Sequence, residues 1–265
     1  MKENRTILKA ENLSIGYHHR QADSIIASGI NISLEAGKLV ALIGANGIGK
    51  STLLRTLTGI QKPLNGEIQL NNKNIAAYTA KDLAQNLSIV LTESLPPSDL
   101  TVYELVALGR QPYTNWLGTL SPFDVEQVEK AIELTAIKHL AHKKHYEISD
   151  GQLQKVLIAR ALAQDTPQIV LDEPTTHLDL QHKVNLLKLL KNLTMQTGKS
   201  ILYSTHDLEL ALQLSDELIV MALDSVVQGS PEQLVEDKVF DKLFDDKSIV
   251  FNPDKGSFII RQEQL

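Results

Sequence analysis

The sequence predicts an α/β fold: a mostly parallel sheet behind a phosphate-binding loop, with an N-terminal antiparallel β part and an inserted helical lobe. Three observations predict it. The apolar runs LVALIG (39–44), QIVLDE (168–173) and SILYSTH (200–206) have the texture of strands buried on both faces of a parallel sheet. The Gly-rich stretch GANGIGKST (44–52) follows the first run directly and leads into a helical pattern. From about 96 to 165 the strand texture gives way to capped helices.

In chain order, residues 5–17 and 25–34 alternate apolar and polar positions around a polar loop at 18–24, as a β-hairpin or meander does. The helix STLLRTLT after the Gly-rich loop is closed by Gly59, with Pro63 beyond it. GEIQLNN (66–72) alternates again and predicts an antiparallel strand. Pro96-Pro97 breaks the chain, TVYE (101–104) is a capping box, and SPFD (121–124) offers Ser121 as N-cap with Pro122 at the first helical position. Leu180, Val184, Leu187, Leu190 and Leu193 mark one face of a long helix that stops near Gly198. ELIVMAL and VVQG (217–229) predict a hairpin turning on Asp224-Ser225, and SPEQ (230–233) starts a last helix.

Composition bounds the function. The 265 residues are 43% apolar and 22% charged, ordinary for a globular protein, and acidic residues exceed basic ones by 32 to 26. A net charge of −6 argues against a nonspecific nucleic-acid binder. No apolar run reaches the roughly 18 residues that span a bilayer, and the start MKENRTILKAEN lacks the apolar stretch of a secretory signal. Cysteine is absent, which excludes disulfides and thiolate metal sites. The expectation is a cytosolic chain whose membrane connection, if any, runs through a partner.

GANGIGKST fits G-x-x-x-x-G-K-[ST] with Gly44, Gly49, Lys50 and Ser51 at the fixed places, and Ala45, Asn46, Gly47, Ile48 and Thr52 completing the loop. Its backbone N–H groups can curl around phosphate, Lys50 reaches the β/γ-phosphates, and the Ser51 hydroxyl ligates Mg²⁺. In IVLDEP, Asp172 and Glu173 end a buried strand. Two carboxylates there cost several kcal/mol unless a cation compensates. Asp172 suits Mg²⁺ held through water, and Glu173 suits orientation and deprotonation of an attacking water. His206 ends the next apolar run and is a candidate donor to a γ-phosphate. A second anion site is written into ISDGQLQK (148–155), where Ser149 and Gln152 form a capping box and Gly151 lets a ligand approach the backbone of a helix N-terminus.

With these residues in place, the chain resembles the ATP-binding-cassette ATPases. GANGIGKST, ISDGQLQK, IVLDEP, HLD (177–179) and His206 occur in that family's order and close to its spacing, over roughly residues 5–230. The resemblance implies a P-loop ATPase core, with residues of about 1–90 and 165–230 forming the nucleotide-binding core and β subdomain. The helical signature subdomain would occupy about 92–165 and a short C-terminal extension 231–265, all within one ATPase domain. It implies ATP and Mg²⁺ as ligands, and a homodimer in which each ATP lies between one subunit's phosphate loop and the other's Ser149, Gly151 and Gln152. The two anion sites would then serve two different nucleotides. Tyr17 would stack on adenine, and Asp179 would couple the two sites.

Departures accompany the matches. Where the family usually carries Gln, Glu93 stands in SIVLTESLPP. Either Glu93 reaches the metal as a charged ligand, or it is solvated and Thr92 or water fills in. The signature also has Asp150, Gln152 and Leu153 where Gly, Glu or Gln, and Arg are frequent.

TVYELVALGRQPYTNWLGTLSPFD (101–124) is similar to the lobe of importer ATPases for iron–siderophore, haem and cobalamin. That likeness implies integral-membrane permease subunits, a substrate-binding protein met indirectly, and a place on the cytoplasmic face of the cell membrane. Arg110, Tyr113 and Trp116 are candidates for the permease contact, with Trp116 packed inside the lobe as the alternative. KHLAHKKHY (138–146) reads as a solvated helix end rather than a metal site. A soluble cassette ATPase of translation or DNA maintenance, and a nonhydrolytic scaffold, remain as rival classes.

Overall fold

The computed structural model describes residues 5–19, 22–91, 98–243, 249–252 and 256–260. The Glu93 and Thr92 readings, and the Pro96-Pro97 break, lie outside the described residues.

The chain opens with β1 (Thr6–Tyr17) and β2 (Ser24–Glu35), paired antiparallel with several register shifts. The apolar run β3 (Leu39–Gly44) is buried throughout and feeds the Gly-rich loop into α1 (Lys50–Leu57). Then come β4 (Asn65–Leu70), β5 (Lys73–Asn74), α2 (Ala80–Ala84) and β6 (Leu87–Val90). The helical lobe carries α3 (Val102–Ala107), α4 (Pro122–Leu134) and α5 (Asp150–Ala163). The chain returns through β7 (Gln168–Leu171), α6 (Leu180–Thr197), β8 (Ser200–Ser204), α7 (Leu208–Leu214), β9 (Glu217–Met221) and β10 (Val226–Gly229). It ends on α8 (Pro231–Glu236) and a hairpin of β11 (Ile249–Asn252) and β12 (Ser257–Ile260).

Two sheets result. β2-β1-β4-β5 is antiparallel; β10-β9-β3-β8-β7-β6 is parallel except for β10. The side-chain period of two explains the unbroken apolar runs. On β3, Leu39, Ala41 and Ile43 join a core shared with α5, α6 and the lobe, while Val40 and Leu42 join a second core with α1 and the antiparallel sheet. A strand covered on both faces has no polar side to show.

The caps at Thr101, Ser121 and Ser149 form as predicted, each with its reciprocal capping box. Gly198 closes α6 at φ 69°, the left-handed conformation that glycine adopts without strain. Two expectations are corrected. The β9–β10 turn closes on Ala222 and Ser225 (Ala222 N–H to Ser225 C=O, 2.9 Å), so Leu223-Asp224 form its tip instead of Asp224-Ser225. β9 is buried on both faces, and no polar alternation there marks the register. Helix α8 is the last α-helix among the described residues, as expected; β11 and β12 follow it, and an aromatic cluster of Phe240, Phe251 and Phe258 seats them. KHLAHKKHY is two short 3₁₀ turns instead of a helix end; Lys138, His139, His142, Lys143 and Tyr146 are exposed as expected, and His145 is buried.

Candidate functional site

Sheet order brings the chemistry together. β3, β8 and β7 are neighbours, so the segments leaving their C-terminal ends are neighbours too. Those segments carry the Gly44–Thr52 loop, His206, and Asp172 with Glu173 respectively.

The loop needs glycine at two places for different reasons. A Cβ on Gly44 would lie 2.7 Å from the Met221 carbonyl oxygen. Gly49 has φ 113°, and its Cβ would lie 2.4 Å from Ile26 Cγ2. Lys50 is buried, and its Nζ donates to the carbonyls of Gly44 (2.9 Å) and Ala45 (3.2 Å), so its ammonium stays against the loop. Burial pushes the Lys50 pKa below the usual lysine range, and the charges of Glu173 and Asp172 oppose that shift. Ser51 is exposed at the helix start, and the Tyr17 hydroxyl is hydrogen-bonded to Thr52 Oγ1 at 3.2 Å. The Tyr17 ring is half exposed at the edge of the loop, where a flat base can lie on it.

Asp172 is buried, and its Oδ1 accepts a hydrogen bond from Ser204 Oγ at 2.6 Å. The same Ser204 oxygen accepts from the Glu173 N–H at 2.8 Å. Glu173 has φ 46°, a left-handed conformation rare for a non-glycine residue, and Thr176 Oγ1 donates to its carboxylate at 3.2 Å. Ser204 thus fixes both acidic residues from the adjacent strand. Sequence reasoning missed it; its only signal was its place two residues before His206. His206 is exposed just past β8.

Among the described residues no cluster of three or more His, Cys, Asp or Glu side chains converges on one point. Mg²⁺ keeps waters and phosphate oxygens as ligands and takes few from protein. Ser51, exposed at the start of α1, and Asp172, buried just past β7, would be the groups to hold it, and the ion would neutralise phosphate charge.

The remaining predicted residues form a separate group. Ser149 Oγ accepts from the Gln152 N–H at 3.3 Å, and Gln152 Oε1 accepts from the Ser149 N–H at 3.0 Å. Asp179 caps α6 through the His182 N–H (2.8 Å). Gly151 lies beside Leu178 and His182, so the start of α5 and the start of α6 share one surface. Among the described residues, no hydrogen bond or ion pair links Ser149, Gly151, Gln152 or Asp179 to the Lys50 loop.

In the lobe, two expectations fail. Arg110 is 2% exposed; its Nε donates to Asp124 Oδ1 (2.8 Å) and its Nη1 to the Ala163 carbonyl (2.8 Å). A docking residue must face outward, and Arg110 instead ties α4 to the end of α5. Its guanidinium lies 3.9 Å from the centre of the Tyr113 ring, whose hydroxyl donates to Gln164 (3.0 Å), so Tyr113 also serves the lobe interior. Trp116 is 91% exposed, which overturns its packing inside the lobe. Asn115 Oδ1 accepts the N–H groups of Leu117 (3.0 Å) and Thr119 (3.1 Å), a turn that displays the indole.

The family model described as ABC transporter matches residues 27–176. An uncharacterized ABC transporter ATP-binding protein of Methanocaldococcus jannaschii is 36% identical over 260 residues, covering 98% of this chain and 88% of the relative. The iron(3+)-hydroxamate import ATP-binding protein FhuC of Bacillus subtilis is 38% identical, covering 93% and 91%. The ferric enterobactin transport ATP-binding protein FepC of Escherichia coli is 36% identical, covering 92% and 89%. Among solved structures, an inward-facing putative metal-chelate type ABC transporter aligns with a TM-score of 0.78 at 26% identity, covering 96% of both chains. A dimeric bacterial ABC transporter cassette aligns at 0.71 and 26% identity, covering 85% of this chain and 99% of that one. With the phosphate loop, the paired carboxylates and the capped signature helix all in place, the chain belongs to the ABC transporter family, among its ATP-binding ATPase subunits.

Proposed function

We propose that the chain is the ATP-hydrolysing subunit of an importer for metal chelates, and that it works as a homodimer on the cytoplasmic face of a membrane beneath permease subunits. A substrate-binding protein would deliver the chelate to that permease. The observation that carries the dimer is the separation of the two anion-binding groups: Lys50 and its loop on one side, and the exposed Ser149 end of α5 on another, with no bond between them. The 14-residue α5 offers N–H groups and the positive end of its dipole to phosphate. Two chains facing head to tail would close one group from each copy on each nucleotide, and a dimeric form is recorded for a related bacterial cassette.

In that arrangement the Gly44–Thr52 loop holds the phosphates, Lys50 meets the β/γ-phosphates, and Tyr17 carries the adenine. Glu173, held by Ser204 and Thr176, takes the proton of the attacking water, and His206 donates to the γ-phosphate. Ser149, Gly151 and Gln152 of the second copy close over the γ-phosphate, and Asp179 lies at the seam. Nucleotide drives closure because it binds the closed pair more tightly than the open one. The whole chain acts as one ATPase unit, and the lobe within 92–165 passes closure to the permease, with Trp116 as the anchor its exposure suggests.

The naming of FhuC for iron(3+)-hydroxamate import and of FepC for ferric enterobactin transport supports the chelate reading. Uptake of radiolabelled ferric siderophores, haem and cobalamin by cells lacking this chain tests it. Loss of one chelate's uptake, restored by the wild-type chain and not by Lys50→Ala, is expected; normal uptake of all of them would overturn the importer reading.

A further inference from the structure

Asp207 immediately follows His206 and occupies the N-cap position of α7, yet its carboxylate makes no cap bond to that helix. An aspartate at that position normally accepts a helix N–H. Here the carboxylate turns instead to α6, where Lys183 Nζ lies 3.2 Å from Oδ1 and 3.0 Å from Oδ2. Both side chains are largely buried, at 18% and 23% exposure, which sets this pair apart from a solvated surface contact.

Each end of the pair is anchored to a functional segment. On one side, the Asp207 N–H donates to Thr205 Oγ1 (3.0 Å), and the Thr205 N–H donates to the Leu42 carbonyl of β3 (3.0 Å), the strand that feeds the phosphate loop. On the other side, the Lys183 N–H donates to the Asp179 carbonyl at 2.9 Å, one helical turn away. His206 and Asp179 are therefore joined through one peptide bond, one ion pair and one helical hydrogen bond.

We propose that the Lys183–Asp207 pair is a positioning device that makes the His206 segment and the Asp179 segment move as one unit. The inference rests on the proposed roles of His206 and Asp179 at the ATP interface. The pair touches no nucleotide itself. It sets the angle at which the exposed histidine meets a γ-phosphate, and it ties that angle to the seam where a second copy arrives. Breaking it should impair turnover without impairing nucleotide binding, because the Lys50 loop and Tyr17 are untouched.

The test is phosphate release by the purified full chain across a range of ATP concentrations, for Lys183→Met, Asp207→Asn, the double variant and Lys183→Arg. The expected result is a roughly tenfold fall in kcat for Lys183→Met and for Asp207→Asn, with KM changed by less than about twofold. The double variant should fall no further than either single one, and Lys183→Arg should keep at least about half of the turnover. Thermal melts of each variant separate a folding defect from a kinetic one, and Asp207→Asn supplies a second route if Lys183→Met folds poorly. Unchanged kcat in both single variants, fully additive losses, or a rise in KM that matches the loss would overturn the inference. The site reading has its own control. If His206→Ala and Glu173→Gln keep full turnover, that reading fails; if they abolish it while Lys183→Met does not lower it, only the positioning role fails.

Discussion

Replacing Arg110 by methionine should destabilise the protein while leaving nucleotide binding intact. Methionine keeps much of the length and apolar bulk and removes the guanidinium. The loss comprises the 2.8 Å bond to Asp124, the 2.8 Å bond to the Ala163 carbonyl, and the stacking on Tyr113. Removing one member of a buried ion pair commonly costs 3–5 kcal/mol, because the other charge is left buried. Asp124 keeps the Ser121 N–H at 2.8 Å and the Ser121 hydroxyl at 2.6 Å, so it is not left wholly unpartnered. That places the expected loss near the lower end, about 3 kcal/mol. At roughly 2–4 °C per kcal/mol for a chain of this size, Tm should fall by about 6–12 °C. Calorimetry on the wild type, Arg110→Met, Asp124→Asn and the double variant measures it, and the double loss should be smaller than the sum of the singles. A Tm within about 2 °C of wild type for Arg110→Met, below what loss of a buried charge partner allows, would refute this account of the lobe.

Three further outcomes follow from the same geometry. Burial pushes the Asp124 carboxyl up, but hydrogen bonds from Ser121 and the bond and charge of Arg110 outweigh it and hold the group below the usual aspartate range. Its contribution is therefore full above the unfolded value near 4 and fades as the pH falls through the lower folded value, so the stability gap between wild type and Asp124→Asn, read from urea midpoints, should narrow as the pH falls below about 4. Tyr17→Ala should weaken ATP binding about three- to tenfold by titration calorimetry while Tyr17→Phe stays near wild type, because ring stacking outweighs the hydroxyl contact with Thr52. Trp116→Ala should leave Tm unchanged, since the indole is 91% exposed, and should weaken co-purification with the permease.

Much of this was legible in the sequence for a simple physical reason. The phosphate loop, the carboxylates after IVL and the Ser149 cap depend on local backbone chemistry, which residue type and spacing encode directly. What was hidden depends on contacts between distant segments. Ser204 gains its meaning only when β8 lies beside β7. Arg110 carries the composition of a contact residue, and only the packing of α4 on α5 reveals its buried partner Asp124. Strand β6 is four residues long, too short for a period to be read, and its parallel pairing with β7 is a contact between distant segments. The ion pair of Lys183 with Asp207 spans 24 residues and two helices, beyond any local pattern.

The central claim is that ATP joins two copies of this chain, each completing the other's site. Light scattering of Glu173→Gln with Mg²⁺ and saturating ATP tests it most directly. The account predicts a doubled mass that reverts to the single-chain value with ADP and is abolished by adding Ser149→Arg. A chain that stays single under saturating ATP, or one that pairs equally well with Ser149→Arg, would contradict it.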